Sequence, residues 1–341
     1  NNNNKQRKNM NNFKKIGLTA LAASLVSTSV FAGELTVSGS AGINYENYQA
    51  ADSKTTASDG TKAFSMGNQM TFSGSGELDN GMSVSLSFVI DEFDNADDAS
   101  SGNTGSVFDA HSVTISSDAM GTLKFSGEGG SSAQNTIDTT AAGDIWDLWD
   151  GRNGANSKAK NSNSSDNMFH YTLPSMVDGL AVSASYVPAA GNDSSDTSYA
   201  LTYTGVEGLS VSYGTGSNDS PTGTTTDSDT DTLKASYAYG PVTLAYSDTS
   251  HDSNTATADQ DVTSYKLSYT VSDAISISYG EEDIASGTTT DVDASYSRIS
   301  ASYTAGGMTV SGNMSEMENG TYTTAVAGDE EYYGLSLSFA F

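Results

Sequence analysis

The chain has 341 residues, of which 42 are Asp or Glu, 14 are Lys or Arg and none is Cys, giving a formal net charge of −28. Such a surface excludes nucleic acid as a partner, because phosphate binding needs clustered cations, and the absence of cysteine excludes a disulfide framework. Only 36% of residues are hydrophobic, which in an acidic chain ordinarily means disorder, so the order of those residues decides the class.

Residues 1 to 32 carry five cations (Lys5, Arg7, Lys8, Lys14, Lys15) and no acid. Lys14 and Lys15 precede the apolar run IGLTALAASLV, and small residues Val30 and Ala32 stand at the minus-three and minus-one positions of an expected cut before Gly33. This is the pattern of a secretory signal peptide, with residues 1 to 9 ahead of a natural start at Met10. Residues 33 to 341 are then expected to form one domain. No later run reaches the ~18 apolar residues of a membrane helix.

From Leu35 onward, Leu35, Val37, Ala41, Ile43 and Tyr45 alternate with Thr36, Ser38, Ser40 and Asn44. Met82, Val84, Leu86, Phe88 and Ile90 repeat the pattern, as do LAVSASY at 180 to 186, YALTY at 199 to 203 and LSVSY at 209 to 213. Further copies are PVTLAYS at 241 to 247, YKLSY at 265 to 269, ISISY at 275 to 279 and MTVSGNM at 308 to 314. A period of two gives each segment one apolar and one polar face, which a strand satisfies and a helix cannot. Sixteen strands are predicted, near 34–46, 68–78, 81–92, 110–117, 121–128, 167–173, 180–187, 197–205, 208–215, 231–239, 241–249, 261–270, 274–281, 291–304, 307–316 and 331–341.

The connections alternate between short turns, such as LDNGM, GVEG and YGP, and long acidic loops rich in Gly, Ser and Thr. Tyr45, Tyr186, Tyr213, Tyr246 and Tyr279 precede long loops, while Tyr171, Tyr203, Tyr239, Tyr269 and Tyr303 precede short turns. Two tiers of amphipathic rings around an apolar band suit a membrane with two water interfaces. A soluble sandwich would have to bury sixteen apolar faces against one another, whereas a closed barrel turns them to lipid and leaves no edge strand. The expected fold is therefore all-β: a transmembrane antiparallel up-and-down barrel of about sixteen strands.

The chain ends EYYGLSLSFAF, with Tyr333, Leu335, Leu337, Phe339 and terminal Phe341 on one parity. This resembles the last strand of bacterial outer-membrane barrels, in which a C-terminal Phe serves as the assembly signal for the barrel-insertion machinery; Phe339 and Phe341 would fill that role. Together with the leader, strand number and loops, the whole mature chain resembles the general-porin family of Gram-negative bacteria. That resemblance implies an outer-membrane location among lipid and lipopolysaccharide, a homotrimer, and a water-filled pore for small hydrophilic solutes narrowed by a third long loop folded into the lumen.

Here the third long connection, about 128 to 166, is the longest and holds the two tryptophans in AAGDIWDLWDGRNG. As two helical turns over 144 to 150, Leu148, Ile145, Trp149 and Trp146 would span about 40° to 200° of a helical wheel, and Asp150, Asp147 and Asp144 about 240° to 360°. Trp146 and Trp149 are expected to anchor the loop on the wall, and Asp144, Asp147 and Asp150, with Arg152, to line the constriction. No match to the Pro-Glu-Phe-Gly-Gly sequence of enterobacterial members is present, so this placement rests on loop order and length.

The resemblance also implies a basic cluster opposite the acidic loop. By strand parity Lys124, Lys234 and Lys266 point inward, and Arg298 does so if a one-residue bulge near Ser297 reconciles Tyr296 with Ile299. Against these stand many carboxylates placed at the outer loops, among them Asp91, Glu92, Asp94, Asp97, Asp98, Asp252, Glu281, Glu282 and Asp283. Carboxylates at a mouth concentrate cations, so a weak cation preference is expected. Asp227, Asp229 and Asp231 form a D-x-D-x-D run with oxygen ligands for weakly held Ca²⁺ or Mg²⁺, but lack the Gly and Glu of an EF-hand and read as a solvated loop; no resident cofactor or metal is expected. Of the three histidines, His170 has inward parity, His111 lies near a strand start and His251 in a loop, and none sits in a hydrolase motif, so no enzyme is expected. The alternative to a general pore is a substrate-specific outer-membrane channel for sugars or anionic solutes, which inward aromatics would favour.

Overall fold

A computed structural model of the protein describes residues 35–50, 62–91, 108–150, 157–162, 166–188, 195–219, 227–288, 291–324 and 329–341. The leader with its cut before Gly33, the carboxylates Glu92, Asp94, Asp97 and Asp98, and Arg152 lie outside the described residues. In chain order the strands are β1 (Leu35–Ala50), β2 (Lys62–Glu77), β3 (Ser83–Asp91), β4 (Ala110–Ser117), β5 (Gly121–Glu128), β6 (Met168–Thr172), β7 (Leu180–Val187) and β8 (Ser195–Tyr203). The second half comprises β9 (Leu209–Asp219), β10 (Ser228–Tyr239), β11 (Val242–Ser253), β12 (Gln260–Ser272), β13 (Ile275–Ser286), β14 (Ala294–Ala305), β15 (Met308–Glu318) and β16 (Glu330–Ala340). Each strand pairs antiparallel with its sequence neighbours, and β1 pairs with β16 to close the barrel.

Alternation and turn chemistry build this wall. Gly81 and Gly240 take φ of 80° and 58° in the LDNGM and YGP turns, a conformation glycine adopts without steric cost. Leu35, Ile43, Leu233, Leu267, Ile299 and Leu335 stand exposed on the outer face, as do both tiers of tyrosine, including Tyr186, Tyr213 and Tyr246 above and Tyr203, Tyr239 and Tyr303 below. Closure is completed beyond β16, where Gly39 and Phe341 exchange backbone hydrogen bonds of 2.8 and 3.0 Å.

Two expectations are corrected. Several strands run farther toward the long loops than the apolar pattern indicates: β10 begins at Ser228, β11 ends at Ser253 and β13 at Ser286. Asp229, Asp231, His251, Asp252 and Glu281 to Asp283 are therefore strand residues, not loop residues. Hydrogen-bonded ladders continue above the lipid zone, where nothing requires apolar alternation. There the outward carboxylates accept from tyrosine hydroxyls, as in Tyr213 to Asp231 (2.7 Å) and Tyr333 to Glu331 (2.8 Å).

The bulge expected near Ser297 is absent. The pairing of β14 with both neighbours is continuous from Ser295 to Tyr303, so Tyr296 and Arg298 share the inward face. Tyr296 faces inward because it has an apolar partner there. The larger of two buried apolar clusters among the described residues joins Tyr48, Val262, Ile284, Tyr296, Met317 and Tyr332 of the wall to Ala142, Ile145, Trp149 and Ala159 of the connection after β5.

Candidate functional site

The described part of that connection, residues 129–150, 157–162 and 166–167, is bound to wall residues whose parity is opposite to the lipid-facing ones, and so lies inside the barrel. Ala133 and Gln134 donate backbone N–H groups to Ser185 Oγ of β7 (2.9 Å) and Ser198 Oγ of β8 (2.6 Å), and the Gln134 amide donates to Thr232 Oγ1 of β10 (2.8 Å). Ser247 and Thr249 of β11 donate to Thr139 O, while Ala141 and Ala142 donate to Ser247 Oγ (2.8 Å) and Ser264 Oγ of β12 (2.9 Å). An irregular segment pressed against a wall has no ladder of its own, and each buried unpaired backbone group costs about 1–3 kcal/mol. The inward serines supply the missing partners. Gly214 and Gly280 leave room for the contact: a Cβ on Gly280 would stand 2.7 Å from Ala142 Cβ, and one on Gly214 3.0 Å from Ile137 Cδ1.

At Gly143 (φ 88°) and Asp144 (φ 49°) the loop backbone turns left-handed. The reversal aims the N–H groups of Ile145 and Trp146 at one oxygen, Glu282 Oε2 of β13, at 2.9 and 3.2 Å, in the manner of an anion-holding backbone nest. Beside it Arg298 Nη2 donates to Ala142 O and Gly143 O at 2.8 and 2.9 Å. The two α-helical turns expected over 144 to 150 are replaced by a single 3₁₀ turn, Trp146–Trp149. Asp144 cannot join a right-handed helix at its positive φ, and the two N–H groups that follow are taken by Glu282.

A 3₁₀ turn stacks residues three apart, which sends both indoles the same way. Trp149 is wholly buried, its ring 5.6 Å from Tyr296 and 6.4 Å from Tyr332 between centroids. Trp146 and Leu148 are partly buried against the same cluster, and Tyr48 of β1 donates to Leu148 O at 2.9 Å. Asp147 and Asp150 are exposed, the latter paired with Lys158 at 3.1 Å. Asp144 is half-buried and accepts from Thr140 Oγ1 (2.9 Å) and Trp146 Nε1 (3.2 Å). Burial first, and the charge of Asp138 second, hold its carboxyl above the ordinary range, although both hydrogen bonds oppose the shift.

The cations divide. Lys234 Nζ of β10 donates to Asp138 Oδ2 (2.9 Å) and Thr140 O (3.0 Å). Lys266 of β12 is level with Arg298 across Gly280. These three stand under the loop, on strands it is bonded to. Lys124 of β5 is exposed on the inner wall, paired in register with Thr114 of β4 and His170 of β6. No basic cluster stands opposite the loop among the described residues.

The other candidates fall elsewhere. His170 Nδ1 meets Ser131 O at 3.2 Å, His251 Nδ1 meets Thr230 Oγ1 at 2.8 Å, and His111 lies 3.6 Å from Glu128. Among the described residues no group of three or more His, Asp or Glu could hold a metal ion, the Asp227, Asp229 and Asp231 run included. Phe339 and Phe341 project outward beside the closing seam. Sequence reasoning missed Glu282, Tyr48, Tyr296 and Tyr332. The signal was present in their parity, which is opposite to that of the outward tyrosines Tyr45, Tyr279 and Tyr333.

A closed sixteen-strand barrel with an apolar exterior and a loop strapped to its inner wall is a membrane pore. A sequence profile described as Gram-negative porin matches residues 17–320, and the chain belongs to the Gram-negative porin family. It is accordingly an outer-membrane protein of bacteria that forms a diffusion channel. Solved structures of the same fold include the anion-selective porin from Comamonas acidovorans, with TM-score 0.66 and 18% identity over 91% of this chain and 100% of that one. Another is a loop L8 deletion mutant of OmpT, an outer membrane protein of Vibrio cholerae, with TM-score 0.67 and 15% identity over 91% and 100%. No curated protein sequence matches the chain significantly.

Proposed function

We propose that small hydrophilic solutes and ions cross between the bound loop and the inner faces of β2 to β5, and that the passage weakly prefers cations. The observation that carries this reading is the distribution of charge around the loop. Asp147 and Asp150 are exposed on its free side, Asp150 paired with the exposed Lys158, whereas Lys234 and Arg298 are committed to loop oxygens beneath it. A solute on the open side meets those two carboxylates, hydroxyls of Ser85, Ser87 and Thr114, and Lys124 as a wall cation. The net charge of −28 adds a field of the same sign. The Comamonas relative is described as anion-selective, so the sign is decided by measurement: with tenfold more KCl on one side of a planar bilayer, the reversal potential should show cation preference, and anion preference refutes it.

The remaining assignments belong to the same reading. Residues 1–32 direct export and are removed, and residues 33–341 are the pore domain. Phe339 and Phe341 mark the chain for the insertion machinery. The homotrimer uses the outer face of β2 to β5, where Phe64, Met66, Met70 and Leu86 are exposed and four successive strands lack the tyrosines found on every other strand but β15. The tyrosine-paired carboxylates above the apolar band lie at the level of lipopolysaccharide headgroups. The reading invokes no catalysis and no resident cofactor.

A further inference from the structure

A cavity of about 530 Å³ opens on the short-turn side of the loop, roofed by Thr136, Ile137 and Asp138 and floored by the inner faces of β6 to β10. This size lies within the ~300–1,000 Å³ of small-molecule sites. The register of the strands arrays its hydroxyls across the floor: Thr172 of β6 faces Ser183 of β7, Thr202 of β8 faces Ser212 of β9, and Ser210 of β9 faces Ser236 of β10. A hydroxyl both donates and accepts, so the floor presents no fixed polarity. Thr202 Oγ1 and Ser212 Oγ lie 2.8 Å apart, a pair able to bond a third hydroxyl.

Between Lys234 and Asp138 the charge at the cavity cancels, and His170, the remaining titratable group of its lining, has Nδ1 3.2 Å from Ser131 O. The Lys234 ammonium lies 2.9 Å from Asp138 Oδ2, 3.0 Å from Thr140 O and 3.4 Å from Asp138 O, which commits its three donors. An anion entering here must displace Asp138, and a cation must displace Lys234. Ala200 and Ile137 offer a small apolar patch, and the described lining holds no Phe, Tyr or Trp to stack a flat aromatic solute. What fits a neutral, hydroxyl-dense, partly apolar cavity is a solute with the same character.

We propose that this cavity is a weak subsite for neutral polyhydroxylated solutes of mono- to disaccharide size, retained briefly as they leave the constriction. The inference rests on the channel reading above. Hydroxyl bonds contribute little net free energy each in water-exposed surroundings, so retention is weak and compatible with flux.

Purified protein in a planar bilayer, with maltose raised on both sides, tests it. The ion current, corrected for bulk conductivity, should fall along a saturating curve with maltose, and only linearly with a poly(ethylene glycol) of equal hydrodynamic radius. Thr202→Val and Ser212→Val should each weaken the apparent maltose affinity about threefold to tenfold, measured against each variant's own sugar-free current. Retained heat-modifiable migration shows that a variant is folded. A linear response to maltose overturns the subsite and leaves the channel reading standing. Saturation unchanged in both valine variants overturns its placement in this cavity. Absence of any ion current overturns the channel reading instead.

Discussion

Replacing Trp149 by Ala removes the largest fully buried side chain of the bound loop while leaving every strand ladder untouched. Burial of an indole takes about 150–250 Å² out of water, or roughly 4–6 kcal/mol at 25 cal/mol per Å². Trp149 Nε1 has no hydrogen-bond partner among the described residues, so its removal relieves a penalty of about 1–3 kcal/mol. The net loss of loop docking is then about 1–5 kcal/mol, at or below the range of large-to-small core changes. Because Trp149 touches Tyr296 of β14 and Tyr332 of β16, this loss is concentrated at the far end of the loop. The barrel should still assemble and migrate as a heat-modifiable band. In planar bilayers the Trp149→Ala channel should conduct more than the wild type and show added open-channel noise on microsecond to millisecond times. Wild-type conductance and noise in a correctly folded variant would refute the reasoning, since the loop would then be held without its anchor.

Glu282→Ala leaves the buried N–H groups of Ile145 and Trp146 without their acceptor, at about 1–3 kcal/mol each. Limited proteolysis should cut loop 3 faster in that variant than in Glu282→Gln, which keeps one oxygen in place. Gly280→Ala should raise noise or shift conductance because its Cβ meets Ala142 at 2.7 Å, while Gly67→Ala, with nothing within 4 Å, should leave the current unchanged. Asp144 has a folded-state pKa above its unfolded value, so its neutral form favours the docked loop. That contribution is complete below the unfolded pKa of about 3.9 and is lost as pH rises through the raised folded value. Protease resistance of the loop should therefore fall across that window, and Asp144→Asn should abolish the step.

The barrel was legible because lipid on one side and polar surroundings on the other force a period of two on every strand. All sixteen strands follow from residues such as Leu35, Val84, Leu244 and Ile277. Where that pressure stops, the reading stops with it: the upper ends of β10, β11 and β13 carry Asp229, Asp252 and Glu281 in strand, and nothing in their chemistry distinguishes them from loop. The site was only half legible. Loop order and two tryptophans located the bound segment, but an inward serine looks the same whether it faces water or a backbone N–H, so Ser185, Ser247 and Ser264 were unreadable. Tyr296 was readable and was misread, since an inward tyrosine makes sense only when the loop supplies its partner.

The anchor of the loop also straddles a join. Tyr48 belongs to the first strand and Tyr332 to the last, and their rings meet at 4.8 Å only after β1 and β16 have paired. The far end of the loop therefore has no complete seat until the final hydrogen-bonded seam is made. The bonds to β7 through β14 can form earlier, so a barrel stalled before closure holds the near part of the loop and leaves its Trp149 end without the Tyr48 and Tyr332 side of its seat. The same two tyrosines that steady the passage thus make its calibre a signature of completed assembly.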